Sequence, residues 1–288
     1  MKFKKIQNIN TFKFFNYKWK KVPSWAKATE KKYIQWYLKR YKYKNLKNLK
    51  KFLKNKKNIL EAGCGLARDS RLFAKLNSKA NIYACDQSKS AIKIAKKDNV
   101  DFGNIYYFLQ DITKKFKINI KFDLISCDQV LHHTPYPSIT LKNLYSLLNK
   151  GGYLNFFVCR KKNLYREFID DNIMNYFSNK KPSELWKFSK KVTLFAKSLY
   201  DLKIKNIKFK NKNYNNIQQY IHYNSFRFWY DPKINFDLSV SSNYDWFSNN
   251  PRYNLEELKK IINKSLKGFK YISIFEDNAS ISISIKKK

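Results

Sequence analysis

The chain has 288 residues, 43% of them hydrophobic, enough for one large domain or one domain carrying an insertion. Its formal net charge of +39 turns attention to polyanions, but lysine outnumbers arginine 53 to 7, and phosphate-gripping surfaces recruit arginine for its bidentate fork. No apolar run reaches the roughly 18 residues that a membrane span needs.

Lysine, asparagine, isoleucine, phenylalanine and tyrosine all have AT-rich codons, so base composition accounts for the charge more simply than a selected polyanion site does. Nucleic acid stays a possible but less favoured partner. The charge itself should raise encounter rates with anionic small molecules at low salt.

In chain order, the opening ten residues lack an apolar signal core. Residues 1–56 read as an aromatic-rich extension followed by helices, with Tyr33, Ile34, Trp36, Tyr37 and Tyr41 near helical spacing within Lys31–Tyr43. From residue 57, strands and helices alternate. Strands are expected at 58–62, 81–85, 104–109, 122–127 and 153–159, with helices at 67–77, 88–98 and 137–149. That alternation specifies a parallel sheet covered on both faces, binding ligands at its carboxyl ends. A helix over 254–266 and two late strands, 271–275 and the Ser-Ile alternation 280–285, close the chain as a hairpin.

The expected core is therefore 57–161 with 254–288. Residues 162–253 remain as a polar, aromatic, largely helical insertion, expected to form a lid for substrate recognition. Cys64, Cys85, Cys127 and Cys159 form no CxxC pair and read as small buried residues of a reducing, cytoplasmic protein, with no metal site.

Glycine is scarce, with six in the whole chain. Two fall in Asn58-Ile-Leu-Glu-Ala-Gly-Cys-Gly-Leu-Ala-Arg68, where a strand turns into a helix, so Gly63 and Gly65 suit a ligand approaching the backbone. Three acids end three successive strands: Glu61, Asp86 and Asp111. Each alone could be a turn or cap residue, and Asp86 precedes Ser88 at a helix start. Together behind a glycine turn they suit a nucleoside, with Asp86 placed for ribose hydroxyls and Asp111 for an adenine amine. Glu61 could accept from a ligand ammonium or fix the glycine turn. A dinucleotide fingerprint wants a third glycine where Arg68 stands, and no phosphate loop is present.

These motifs resemble class I S-adenosylmethionine-dependent methyltransferases over about 58–160 and 254–285. Ala67 departs from the pattern, where many members have a glycine. The resemblance implies an α/β fold: a Rossmann-like, doubly wound, seven-stranded sheet with an antiparallel last strand, plus the helical lid. It implies S-adenosyl-L-methionine as cofactor, held by Glu61, Gly63, Cys64, Gly65, Asp86, Gln87, Asp111, Ile112 and Gln129. The segment Ser126-Cys-Asp-Gln-Val-Leu-His-His133 would face the substrate, making His132, His133 and Asp128 candidates for a general base; the histidines could equally cap a helix or pack on the cofactor. The segment lacks the Asn/Asp-Pro-Pro-Tyr/Phe phrase of amino-methylating nucleic-acid enzymes.

The insertion carries Arg166, Glu167, Asp170 and Asp171, and later Tyr244 and Trp246. With Asn16–Trp19 these are similar to a bacterial subgroup of small-molecule methyltransferases. Arg166, Glu167, Asp170, Tyr244 and Trp246 are the expected substrate residues, although lid packing would explain the aromatics as well. The expected activity is methyl transfer to an oxygen of a small polar or anionic acceptor. The alternatives are an RNA methyltransferase or a non-catalytic cofactor-binding partner subunit.

Overall fold

A computed structural model describes residues 11–209, 211–248 and 250–288. Contacts divide the chain into two compact units, one of residues 23–160 with 251–288, the other of residues up to Val22 with 161–250. The first helix thus groups with the inserted segment, and residues 23–56 group with the sheet.

The sheet unit opens with helices α2 (Trp25–Arg40) and α3 (Leu46–Leu53), after α1 (Thr11–Lys21) of the other unit. Then follow β1 (Asn58–Ala62), α4 (Arg68–Leu76), β2 (Asn81–Asp86), α5 (Lys89–Asp98), β3 (Ile105–Leu109), β4 (Phe122–Cys127), α6 (Pro137–Ser146) and β5 (Leu148–Cys159). A single 3-10 turn, Leu131–His133, lies between β4 and α6. After the second unit come α11 (Leu255–Ser265), β8 (Phe269–Glu276) and β9 (Ser280–Lys287).

The seven strands run in the order β3-β2-β1-β4-β5-β9-β8. The first five are parallel, and β9 is antiparallel to both its neighbours. The chain winds outward from β1 to β3, then returns to lay β4 on the other side of β1. The strand order therefore reverses between β1 and β4, the point where such sheets bind ligands.

Strand alternation sorts the core into two faces. Ile59, Ile82, Ala84 and Leu124 pack with Tyr37, Leu49, Leu53 and Phe73 of the first helices. Leu60, Ile125, Phe156 and Val158 pack with α6 and α11 through Leu141, Leu144, Leu258 and Ile262. The Ser-Ile repeat of β9 directs Ile281, Ile283 and Ile285 into this second cluster. Full burial of each is worth about 1.5–3 kcal/mol, which pins the register of the antiparallel strand.

The helix expected over 137–149 ends at Ser146, and the fifth strand starts earlier than expected. Gly151 and Gly152 lie inside β5, which begins at Leu148, where the pairing register with β4 shifts between Phe122 and Leu124. A Cβ on Gly152 would stand 2.8 Å from the Phe122 carbonyl oxygen. The pair marks an irregularity within the strand, where backbones approach closely.

The second unit contains α1, α7 (Leu164–Phe177), α8 (Pro182–Asp201), the hairpin β6 (Lys205–Phe209) and β7 (Lys212–Asn216), α9 (Ile217–Asn224) and α10 (Phe236–Phe247). The hairpin departs from the expected helical content. Its strands are mostly lysine and asparagine and largely exposed, so no alternating apolar pattern announced them. Helix α7 buries Arg166, Asp170, Met174 and Phe177 and leaves Leu164, Tyr165, Phe168 and Tyr176 exposed.

Candidate active site

The turn after β1 is shaped by its glycines. Gly63 and Gly65 have φ of +75° and +51°, a region open to glycine at no steric cost. The amides of Gly63 and Cys64 both donate to the Cys85 carbonyl at 2.8 Å, tying the turn to β2. A Cβ on Gly63 would stand 2.4 Å from Cγ1 of Val130. Ala67 also takes a left-handed conformation, φ +56°, as the N-cap of α4, which explains why glycine is common there in the resembling sequences.

The three strand-end acids are all engaged locally. Glu61 accepts from the Asp69 amide at 3.3 Å and from the Ser70 amide at 2.7 Å, with the Ser70 hydroxyl also donating to it. It therefore caps the first turn of α4. Burial, helped by the nearby Asp69 carboxylate, pushes its pKa from 4.5 to about 8. Asp86 accepts from the Gly65 amide at 2.9 Å and the Ser88 amide at 2.8 Å; burial still raises its pKa against those bonds. Asp111 uses Oδ1 for the Thr113 amide and hydroxyl at 3.0 and 2.7 Å, and among the described residues no donor reaches its Oδ2. Cys64 and Ile112 are buried beside these acids in sequence, whereas Gln87 is exposed. Burial pushes the Cys64, Cys85 and Cys127 thiols up, which keeps them protonated and unreactive.

Across the switch point, Asp128 directly follows β4. Burial would raise its pKa, but the Arg40 and Arg68 guanidiniums beside it hold it below the usual carboxylate range. Arg40 Nη1 donates to it at 3.0 Å, Arg68 Nη2 at 3.1 Å and the Tyr41 hydroxyl at 2.9 Å. A carboxylate so stabilised is a weak proton acceptor, contrary to the general-base role expected for Asp128. Gln129 follows with φ +61°, backbone strain of the kind that gathers at functional sites. His132 is buried, with Nδ1 3.4 Å from the Phe157 carbonyl, and His133 is half-buried with its ring 4.0 Å from that of His132. A proton on Nδ1 would let His132 donate to that carbonyl.

Residues 53–193 match a family model described as a methyltransferase domain. The segment carries a methyltransferase domain. It is 37% identical to the ubiquinone biosynthesis O-methyltransferase of Coxiella burnetii over 101 residues, 35% of this chain and 42% of that one. It is 32% identical to the mitochondrial ubiquinone biosynthesis O-methyltransferase of Saccharomyces cerevisiae, over 32% of this chain and 30% of that one. The matched region thus spans less than half the length of these curated relatives. In fold, the chain is similar to the crystal structure of an S-adenosylmethionine-dependent methyltransferase from Anabaena variabilis, at a TM-score of 0.54, 14% identity and coverage of 99% and 98% of the two chains.

S-adenosylmethionine is the cofactor of the methyltransferase domain, and the donor set suits it. Asp86 and the open Oδ2 of Asp111 present acceptors at adjacent strand ends, matching the hydroxyl and amine donors of a nucleoside. The positive-φ glycines leave the neighbouring turn after β1 without side chains at positions 63 and 65.

The residues expected to contact the acceptor belong to the second unit. Arg166 and Asp170 are fully buried in the second unit and pair with each other at 3.3 Å. Asp170 also accepts from the Arg227 amide at 3.0 Å and the Trp246 indole at 2.8 Å. Tyr244 is fully buried and donates to the Phe14 carbonyl at 3.0 Å, while Glu167 accepts from the Lys162 amide at 2.8 Å. Arg166 and Asp170 pair one helical turn apart, and the pair faces the interior of the unit. Arg166, Asp170, Tyr244 and Trp246 build that unit's core, and Glu167 is half-buried.

Arg40, Tyr41 and Arg68 were absent from the expected site. The sequence held a signal for them: with lysine so dominant, each surviving arginine marks a place where lysine would not serve. None of the seven arginines is exposed, whereas Lys18 is the single buried lysine among the described residues. Arginine keeps its charge when buried and satisfies a carboxylate through several fixed donors.

Proposed function

We propose that the chain is a methyltransferase acting on an oxygen of a small polar or anionic acceptor. The observation that carries the cofactor half of this reading is the Asp86 carboxylate, which holds the glycine turn through the Gly65 amide at 2.9 Å. Turn and acid are thereby fixed together at the switch point before any ligand arrives. The relatives named as ubiquinone biosynthesis O-methyltransferases support oxygen as the attacked atom.

When bound, the cofactor supplies a methyl group already activated by a sulfonium. Gly63, Gly65, Asp86 and Asp111 would hold it, with Cys64, Ile112, Gln87 and Gln129 at its borders. Of the two neighbouring histidines, His133 is proposed as the base that takes the acceptor's proton. It is half-buried, whereas His132 is almost fully buried and turns Nδ1 to a backbone carbonyl. A neutral imidazole is the side chain best poised for that work near pH 7.

The test is incubation of the protein and methyl-labelled cofactor with a cell extract, then separation of nucleic acid, lipid and small molecules. Label should appear in the small-molecule fraction. Label confined to RNA would replace the acceptor class, and no transfer with normal cofactor binding would favour a non-catalytic subunit.

A further inference from the structure

The carboxylate of Asp128 is gripped from two helices of the sheet unit at once. From α2 and the residue after it, Arg40 Nη1 donates to both oxygens, at 3.3 and 3.0 Å, and the Tyr41 hydroxyl donates at 2.9 Å. From the first residue of α4, Arg68 donates at 3.1 Å, and its Nε reaches Asp69 at 2.7 Å. The Gln129 side chain adds a fourth partner at 3.2 Å. Rings back both guanidiniums: Arg40 lies 4.4 Å from the Phe157 centroid, and Arg68 lies 4.3 Å from that of Tyr33.

The residues just beyond Asp128 give this grip a purpose. Gln129 is left-handed at φ +61°, and Val130 then seats against Gly63 so closely that a Cβ there would overlap it. The strained residue is therefore pinned on both sides, by the ionic grip before it and by the Gly63 contact after it. His132 and His133 come next. Buried ion pairs are a costly way to gain stability, since apolar residues of similar volume often do as well. They do fix a geometry, because guanidinium and carboxylate meet along set directions.

We propose that Arg40, Tyr41 and Arg68 are positioning residues for methyl transfer. By clamping Asp128 they hold Gln129 in its left-handed conformation and set the 128–133 turn at the carboxyl ends of β1 and β4. The proposal rests on the methyltransferase reading and deepens it, assigning α2, which precedes the recognised motifs, to the machinery of the site.

The test uses the full-length protein, with S-adenosylhomocysteine as the binding probe and the imidazole NMR signals as a second readout. The chain has only three histidines, His132, His133 and His222, so each can be followed. Arg40→Lys keeps a charge but loses the fork. It should weaken S-adenosylhomocysteine binding about tenfold, the scale of one lost charged hydrogen bond, and should move the His132 and His133 signals while His222 stays in place. Tyr41→Phe leaves every charge in place and should act in the same direction, about threefold, which provides a folded variant if Arg40→Lys is unstable. Arg40→Gln should be worse than Arg40→Lys.

Folded variants with wild-type affinity and unmoved His132 and His133 signals would overturn the clamp. If the wild-type protein failed to bind S-adenosylhomocysteine, the methyltransferase reading would fall, and the histidine signals would still decide the clamp.

Discussion

Asp86 accepts a hydrogen bond from the Gly65 amide at 2.9 Å, so the end of the second strand holds the turn that comes after the first. Its other oxygen accepts from the amide of Ser88, the N-cap of α5, at 2.8 Å. One carboxylate thus organises two loops that border the cofactor site.

Asp86→Ala should weaken S-adenosylhomocysteine binding by about 1.5–3 kcal/mol, the range for losing a hydrogen bond to a charged group. Its melting temperature should fall too, because two amides lose their acceptor. Titration calorimetry showing unchanged affinity would remove Asp86 from the cofactor site.

Gly63→Ala meets two obstacles. Its φ of +75° costs an L-residue about 1–2 kcal/mol, and the new methyl would overlap Val130, an overpacking of about 1–3 kcal/mol. Trimming the partner in Gly63→Ala/Val130→Ala should recover part of the second term and none of the first. Denaturant unfolding of the single and double variants checks the cycle. A double variant no more stable than Gly63→Ala alone would show that Val130 is not the obstacle.

Ala67→Gly should be neutral to stabilising by up to about 1 kcal/mol. Glycine relieves the left-handed strain at φ +56°, and its greater unfolded-state entropy offsets part of the gain. Thermal unfolding reads the result; a clear loss of stability would mean that the buried methyl of Ala67 outweighs the strain.

Stability should depend on pH through Glu61. Its carboxyl, normally at 4.5, titrates at about 8 in the folded protein because it is buried near Asp69. The folded state therefore binds the proton more tightly than the unfolded state. This contribution is fully present below pH 4.5 and is lost as pH rises through about 8. Asp69 is shifted in the same direction, also chiefly by burial. Asp128 is shifted the opposite way by its arginines, so its contribution is lost only in stronger acid. Melting curves from pH 5 to 9 should fall with rising pH in the wild type and flatten in Glu61→Gln. Equal slopes for the two proteins would assign the dependence to another group.

The site and fold were not equally legible in the sequence. Apolar runs set β1 and β4 to the residue, because a strand buried on both faces leaves a local apolar signature, and family likeness implied seven strands with an antiparallel last one, whereas their order came from the structure. The glycine turn and the strand-end acids were legible for a similar reason: a positive φ and a strand terminus are local facts. Whether Arg166, Asp170, Tyr244 and Trp246 would face a ligand or a core was not a local fact. A helical spacing sets which residues share a face, and only the packing of α7 against α10 and its neighbours turned that face inward. The clamp on Asp128 was likewise decided by tertiary structure. Arg40 and Asp128 are 88 positions apart, and only the laying of β4 beside β1, under α2, brings their charges together in a place where water cannot separate them.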